Sequence, residues 1–264
     1  MRKLVFALAA VAALGLVGGA AHAEMKKVRI GTEGAYPPFN YIDQAGKLQG
    51  FDIEIAKALC AAAKFDCEFV VQDWDGIIPG LIAKKYDAIV ASMSITAKRK
   101  EVVDFTDKYY NTPAKFVKAK SLKLEIPDDV AAADKKLAGM RVGVQRATIH
   151  ENYLRAKFPD VEIVPYATQD EANLDLSNGR VDLVMADSVA LSEGFLKTPA
   201  GKDFEFVGPD YNDPKYHGDG AGIAVRKGDD ELRLALNKAI AEIRANGTYK
   251  KINDKWFDFD VYGK

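Results

Sequence analysis

From Lys26 onward the chain alternates between two hydrophobic periods. "KKVRIGTE" puts Val28 and Ile30 on one face of an extended segment, because side chains two residues apart share a face. Phe51, Ile55, Ala58, Leu59 and Ala62 then fall on one face of a helix, with Asp52 standing where an N-cap belongs. "CEFVVQ" predicts a second strand, Asp75 to Lys85 a helix carrying Ile77, Ile78, Leu81 and Ile82, and "DAIVAS" a third strand. The order β-α-β-α-β is that of a parallel sheet covered by helices.

The same order returns downstream. "MRVGVQ", "VEIVPY" and "VDLVMAD" predict strands, separated by helices over Thr148 to Phe158 and Gln169 to Asn178. Aligning "YDAIVAS" with "VDLVMAD" superposes Asp87 on Asp182 and ends the two strands in Ser92 and Asp187. Open α/β sheets bind ligands beyond the carboxyl ends of their strands, so two such lobes face to face would enclose a cleft between those polar ends. After "GPDYNDPKYHGDG" the strand "AGIAVRK", a helix over Asp230 to Ala245 and a shorter one near Lys250 have no further module to join. They are expected to return to the first lobe. The reading is an α/β chain with residues 24–110 and 221–264 as lobe 1, 115–211 as lobe 2, and 111–114 and 212–220 as hinge segments. Two crossings favour a hinge over a free linker.

Ahead of this pattern, Arg2 and Lys3 precede an apolar run from Leu4 to Ala21, and Ala21-His22-Ala23 has the small-x-small form of a cleavage site. That is the pattern of a secretory signal peptide over residues 1–23 rather than of a membrane anchor. With Arg2 and Lys3 removed, the net charge moves from −1 to near −3, which argues against nucleic acid and anionic membrane as partners. In an exported chain the closely spaced pair Cys60 and Cys67 predicts a disulfide. Only His150 and His217 remain after cleavage, with no HxxxH or CxxC spacing, so neither a metal nor another cofactor is expected.

The densest chemistry lies in "DAIVASMSITAKRKEVVDFT", where Ser92, Ser94, Thr96 and Arg99 cluster. A nucleophilic serine needs a base and an orienting partner, and neither GxSxG nor SxxK occurs there. A phosphate loop would be glycine-rich, and "SMSITAK" has no glycine. What the stretch supplies is donors: hydroxyls, the N–H groups of a helix opening near Thr96, and a guanidinium that suits a carboxylate.

"GTEGAYPPFNYIDQAGKLQGFDIEI", "DWDGIIPGLIAKKYDAIVASMSITAKR" and "GRVDLVMADSVALSEGFL" resemble the polar amino-acid-binding proteins of ABC importers, in particular the lysine/arginine/ornithine- and histidine-binding branch. The resemblance runs to "KWFDFDVYG" at the end of the chain. It implies the two-lobed type II periplasmic binding protein fold, a periplasmic location, a monomer, an amino-acid ligand and a membrane permease as partner. It also implies roles for residues. Arg99 and the backbone N–H groups of Ser94 and Thr148 would hold a ligand carboxylate. Asp187, Ser92 and the Ser94 hydroxyl would hold its ammonium. Tyr36 and Trp74 would sandwich the ligand side chain, and Glu33 would meet its distal end.

The chemistry agrees with this on its own terms, since a buried zwitterion needs both charges paired and aromatic faces attract a cationic side chain. Asp187 also fits a helix N-cap before "SVALSEGFL". The family pattern is broken in "GVQRATIHENY", where Gln145-Arg146-Ala147 replaces a Leu-Gln-Gly-like turn, and Gln145 and His150 resemble opine-binding relatives instead. Arg146, if it points inward, would repel a cationic ligand. The expected ligand is a basic L-amino acid, arginine first, then lysine, ornithine or histidine. An opine, a cyclohexadienyl dehydratase-like enzyme on the same fold, and a receptor ectodomain are the alternatives.

Overall fold

The computed structural model describes residues 25–263; the signal peptide expected over residues 1–23 lies outside them. The chain begins with strand β1 (Lys26–Thr32) and three short strands, β2 (Ala35–Tyr36), β3 (Asn40–Ile42) and β4 (Leu48–Gln49). Helix α1 (Phe51–Ala63), β5 (Phe65–Val71), α2 (Trp74–Ile82), β6 (Ala88–Ile89), the single turn α3 (Ala97–Lys100) and β7 (Val103–Tyr110) complete the first run. The second run is β8 (Ala114–Ala119), α4 (Val130–Leu137), β9 (Arg141–Gln145), α5 (Ile149–Lys157), β10 (Glu162–Tyr166), α6 (Gln169–Ser177), β11 (Leu183–Asp187), α7 (Ser188–Leu191) and β12 (Phe204–Tyr211). The turn α8 (Pro214–His217), β13 (Ala221–Arg226), α9 (Asp230–Ala245) and α10 (Thr248–Trp256) follow.

Two five-stranded sheets result, ordered β5-β1-β6-β13-β7 and β10-β9-β11-β8-β12. In each, three parallel strands (β5-β1-β6 and β10-β9-β11) are followed by one strand antiparallel to them (β13 and β8) and by an edge strand antiparallel to that one (β7 and β12). The two sheets match in space, while the fourth position is filled by β13, the last strand of the first sheet in chain order, and by β8, the first of the second. Strand β13 returns from beyond the second sheet to pair with β6 and β7, and α9 packs its Leu232, Leu236, Ile240 and Ile243 into the core beside α1. Each sheet carries apolar clusters that draw on different helices: α1 and α9 in one and α2 in the other for the first sheet, α5 and α6 for the second. Burial from two sides explains the almost continuous apolar strands.

The aligned aspartates have matching structural work. Asp87 accepts from Arg29 N–H at 3.0 Å, Nε at 3.1 Å and Nη2 at 3.0 Å. Asp182 accepts from the same three groups of Arg141 at 2.8, 3.2 and 2.8 Å. Each forked pair ties the start of one strand (β6 or β11) to its parallel neighbour (β1 or β9), at the end opposite Ser92 and Asp187.

Three expectations change. Asp52 does not cap α1: Gly50, at φ 123, occupies the cap position, and Asp52 lies within the first turn, fully buried. Only glycine fits there, since an added Cβ would meet Phe39 O at 2.1 Å. The helix expected over Asp75–Lys85 runs from Trp74 to Ile82, because Lys84 turns left-handed at φ 61. The stretch 212–220 is not bare linker, since it contains α8, whose Tyr216 meets Tyr153 of α5 edge-on at 5.5 Å. Among the described residues no helix is long and apolar enough to cross a membrane.

Candidate ligand-binding site

Residues from both lobes line one cavity. Glu33 follows β1, Tyr36 lies in β2, Trp74 opens α2, Ser92 and Ser94 follow β6, and Arg99 lies in α3. From the other side come Thr148 and His150 at the start of α5 and Asp187 at the end of β11.

One part of the cavity is built for an anion. Ser94 forms an isolated antiparallel bridge with Ala221, whose hydrogen bonds are made by the flanking residues, Gly222 N–H to Met93 O at 3.0 Å and Ile95 N–H to Gly220 O at 2.8 Å. That turns the N–H and carbonyl of Ser94 away from Ala221, and the carbonyl accepts from Arg99 Nη1 at 3.0 Å. Among the described residues no carboxylate forms an ion pair with Arg99. Desolvation lowers its guanidinium to about 10, so it stays charged at neutral pH. The Trp74 ring lies 5.3 Å from the guanidinium carbon. Trp74 therefore covers Arg99, a contact absent from its expected role as one half of an aromatic sandwich. The Thr148 hydroxyl is occupied, donating to Gln145 O at 2.7 Å and accepting from Glu151 N–H at 3.2 Å as the cap of α5, which leaves backbone as its contribution to the cavity.

Another part suits a cation. Asp187 is 8 % exposed. One carboxylate oxygen caps α7, accepting from Val189 and Ala190 N–H at 2.8 and 3.1 Å, and the other accepts from Thr112 Oγ1. Burial pushes its carboxyl up to about 6, and no Lys, Arg or His neutralises it among the described residues. The buried Tyr36 lies close enough to feel the charges of Asp187 and Glu33.

Glu33, 5 % exposed, accepts from Gln145 Nε2 of the opposite lobe at 2.5 Å. Burial drives its carboxyl up to about 7, against the Gln145 hydrogen bond, and Asp170, Asp73 and Asp75 add to the rise. Arg146 does not point inward. Its side chain is half exposed and its Nε pairs with Asp75 of lobe 1, while the indole N–H of Trp74 donates to Ala147 O at 3.2 Å.

Thr112 and His217 also line the cavity, and the sequence reading assigned them no part in it. The His217 ring lies 6.1 Å from that of His150, and each has a buried nitrogen without a hydrogen-bond partner, Nε2 and Nδ1 respectively. Burial keeps both neutral, holding His150 down to about 3 with help from His217 and Arg99. A histidine in a Gly- and Pro-rich loop carries no sign in the sequence of which cavity it will reach. Among the described residues no group of three or more metal-ligating side chains occurs.

Residues 28–259 match the model of the bacterial extracellular solute-binding proteins, family 3. The chain belongs to this family. Its relatives in the family include the L-arginine-binding protein of Pseudomonas aeruginosa, 51 % identical over 100 % of this chain and 99 % of the relative. The histidine-binding periplasmic protein of Escherichia coli is 46 % identical over the full length of both. Among solved structures, a periplasmic binding protein of Salmonella typhimurium described for its high arginine specificity superposes with a TM-score of 0.80. It is 33 % identical and the match covers 88 % of this chain and 99 % of that one.

Proposed function

We propose that this family 3 protein is the periplasmic amino-acid-binding component of an ABC importer, and that it takes a basic L-amino acid, arginine first, then lysine, ornithine or histidine. One observation carries the reading: a single cavity holds an Arg without a carboxylate partner and two buried carboxylates, Asp187 and Glu33, without a cation among the described residues. A zwitterion with a cationic side chain supplies all three missing charges. In this reading Arg99 with the N–H groups of Ser94 and Thr148 takes the carboxylate. Asp187, Ser92 and the Ser94 hydroxyl take the ammonium, Tyr36 and Trp74 flank the side chain, and Glu33 takes the guanidinium. Arginine ranks first because its planar fork can stack on an aromatic face while donating paired hydrogen bonds, which an ammonium cannot match.

The protein acts by binding alone, as a monomer hinged at 111–114 and 212–220, and passes its ligand unchanged to the permease. The unpartnered ring nitrogens of His150 and His217 beside the anion end favour one second reading. An opine, whose α-nitrogen carries a carboxyalkyl group, would give these neutral rings an acceptor. Calorimetry against the common amino acids and a set of opines, with mass spectrometry of the recovered ligand, tests both. Tightest binding of arginine, recovered intact, is expected. Tighter opine binding moves the assignment to the second reading, and a new product moves it to an enzyme.

A further inference from the structure

Asp187 accounts for the ammonium, yet a second buried carboxylate stands behind the same wall. Asp52 is 0 % exposed and forms no ion pair among the described residues. Three donors hold it: Ser92 Oγ at 2.9 Å and Asn40 Nδ2 at 2.8 Å on Oδ2, and Tyr109 OH at 2.8 Å on Oδ1. Uncompensated burial of a carboxylate is costly, and a structural link to three donors does not require a charge.

The network fixes the direction of each proton. Gly34 N–H donates to Asn40 Oδ1 at 2.8 Å, so the Asn40 amide must turn its NH₂ toward Asp52. Ser92 N–H donates to the Tyr109 oxygen at 3.0 Å, so the Tyr109 proton goes to Asp52. An ionised Asp52 can only accept, and the Ser92 hydroxyl must therefore donate to it as well. The lone pairs of Ser92 Oγ are left for the cavity, which Ser92 lines. Ser92 reaches this place with a left-handed backbone, φ 54, a conformation a non-glycine residue adopts only when its surroundings impose it.

We propose that Asp52 is a positioning residue for ammonium recognition: it draws the Ser92 proton out of the cleft, so that Ser92 presents an acceptor, and its own charge lies one hydrogen bond behind the bound ammonium. The proposal rests on the reading of the cavity as an amino-acid site. It also ties the ammonium end to the loop bearing Glu33, since Asn40 links Asp52 to Gly34.

The test compares arginine with desamino-arginine, which keeps carboxylate and guanidinium and lacks only the ammonium, by calorimetry on the mature protein. In Asp52→Asn the charge behind Ser92 is removed, and the amide oxygen that still accepts from Ser92 and Asn40 holds the Ser92 proton less strongly. Arginine binding is expected to weaken about tenfold or more, as for an interaction with a desolvated charge, while desamino-arginine changes less than about twofold. Equal losses for both ligands would mean a structural role and overturn the proposal. In a Ser92→Ala background the same substitution should cost arginine markedly less, and fully additive losses would also overturn it. If Asp52→Asn does not fold, Tyr109→Phe strips a donor from the same carboxylate, with the same selective loss expected and the same equal loss fatal. If the wild type prefers another amino acid, the arginine reading fails, but the comparison still decides this proposal with that amino acid and its desamino form.

Discussion

Glu33 sets the clearest consequence of burial on a single residue. Its carboxyl is raised to about 7 by desolvation, so near neutrality it is only partly ionised when no cation is bound. A guanidinium needs the ionised form, and binding it must release a proton. Affinity for arginine should therefore rise about fourfold from about pH 6.5 to about pH 8.5, the ratio of ionised fractions for a group titrating near 7. In the proposed site glutamine would use the Asp187 end of the cleft but not the charge at Glu33, so its affinity should follow a flatter profile, and Glu33→Gln should flatten that of arginine. A profile for arginine unchanged in Glu33→Gln would remove Glu33 from the side-chain pocket. The stability sign is the opposite. Because the folded value lies above the ordinary one, the contribution of Glu33 to the ligand-free protein is complete below about pH 4.5 and lost as pH rises through about 7. Residues of this kind differ in how much of them the sequence reveals. Asp187 was legible as a charge at a strand end, and Arg99 as a guanidinium in a donor-rich stretch with no catalytic partners. Asp52 was not, because an acid at a helix start looks the same whether it caps the helix or sits one step inside it. The direction of Arg146 was not legible either, since a charged side chain in a turn can face either way.

At the scale of elements the repeat was legible because the physics acts twice. "YDAIVAS" and "VDLVMAD" each need an aspartate to fork onto the arginine of the neighbouring parallel strand and a polar residue at the far end, so the alignment of Asp87 with Asp182 reflects one arrangement of parallel strands used in both lobes. The short strands β2 to β4 and the turn α8 escaped prediction because two to four residues carry no period. The disulfide also belongs to this scale. Cys60 in the last turn of α1 is joined to Cys67 in β5, the edge strand of the first sheet, and neither cysteine lines the cavity. Closing so short a loop restricts the unfolded chain by about 2.5 kcal/mol in the chain-entropy model. Reduction should lower the melting temperature of the ligand-free protein, while arginine affinity, measured where the reduced fold persists, stays within about twofold of the oxidised value. A larger loss of affinity would mean that α1, through Asp52, shifts when the bond is broken.

Across the whole molecule, the lobes meet through contacts that no ligand makes. Gln145 donates to Glu33, Trp74 donates to Ala147 O, and Arg146 pairs with Asp75. Their apolar counterpart is a shared cluster in which Val189 and Ala190 of lobe 2 pack with Tyr36, Phe39 and Tyr110 of lobe 1. If the hinge segments open, all of these are lost together, so each weights the equilibrium toward the closed arrangement that completes the site. The Asp75–Arg146 pair can be removed without touching the cavity, because both side chains are partly exposed, 39 % and 49 %. An exposed pair contributes at most about 1 kcal/mol and is screened by salt. Arg146→Ala should accordingly weaken arginine and glutamine alike, about twofold to fivefold at low salt. The loss should appear mainly as faster dissociation, and it should vanish near about 0.5 M salt. The swap Asp75→Arg with Arg146→Asp should restore wild-type affinity for glutamine, which does not use the Glu33 carboxylate that Asp75 influences, since it returns the attraction with its sign pattern reversed. An Arg146 charge acting on the ligand would do the reverse: its removal would strengthen cationic ligands and leave glutamine unchanged. Stopped-flow dissociation of both ligands from Arg146→Ala, at low and high salt, separates a latch between lobes from a charge felt inside the cleft.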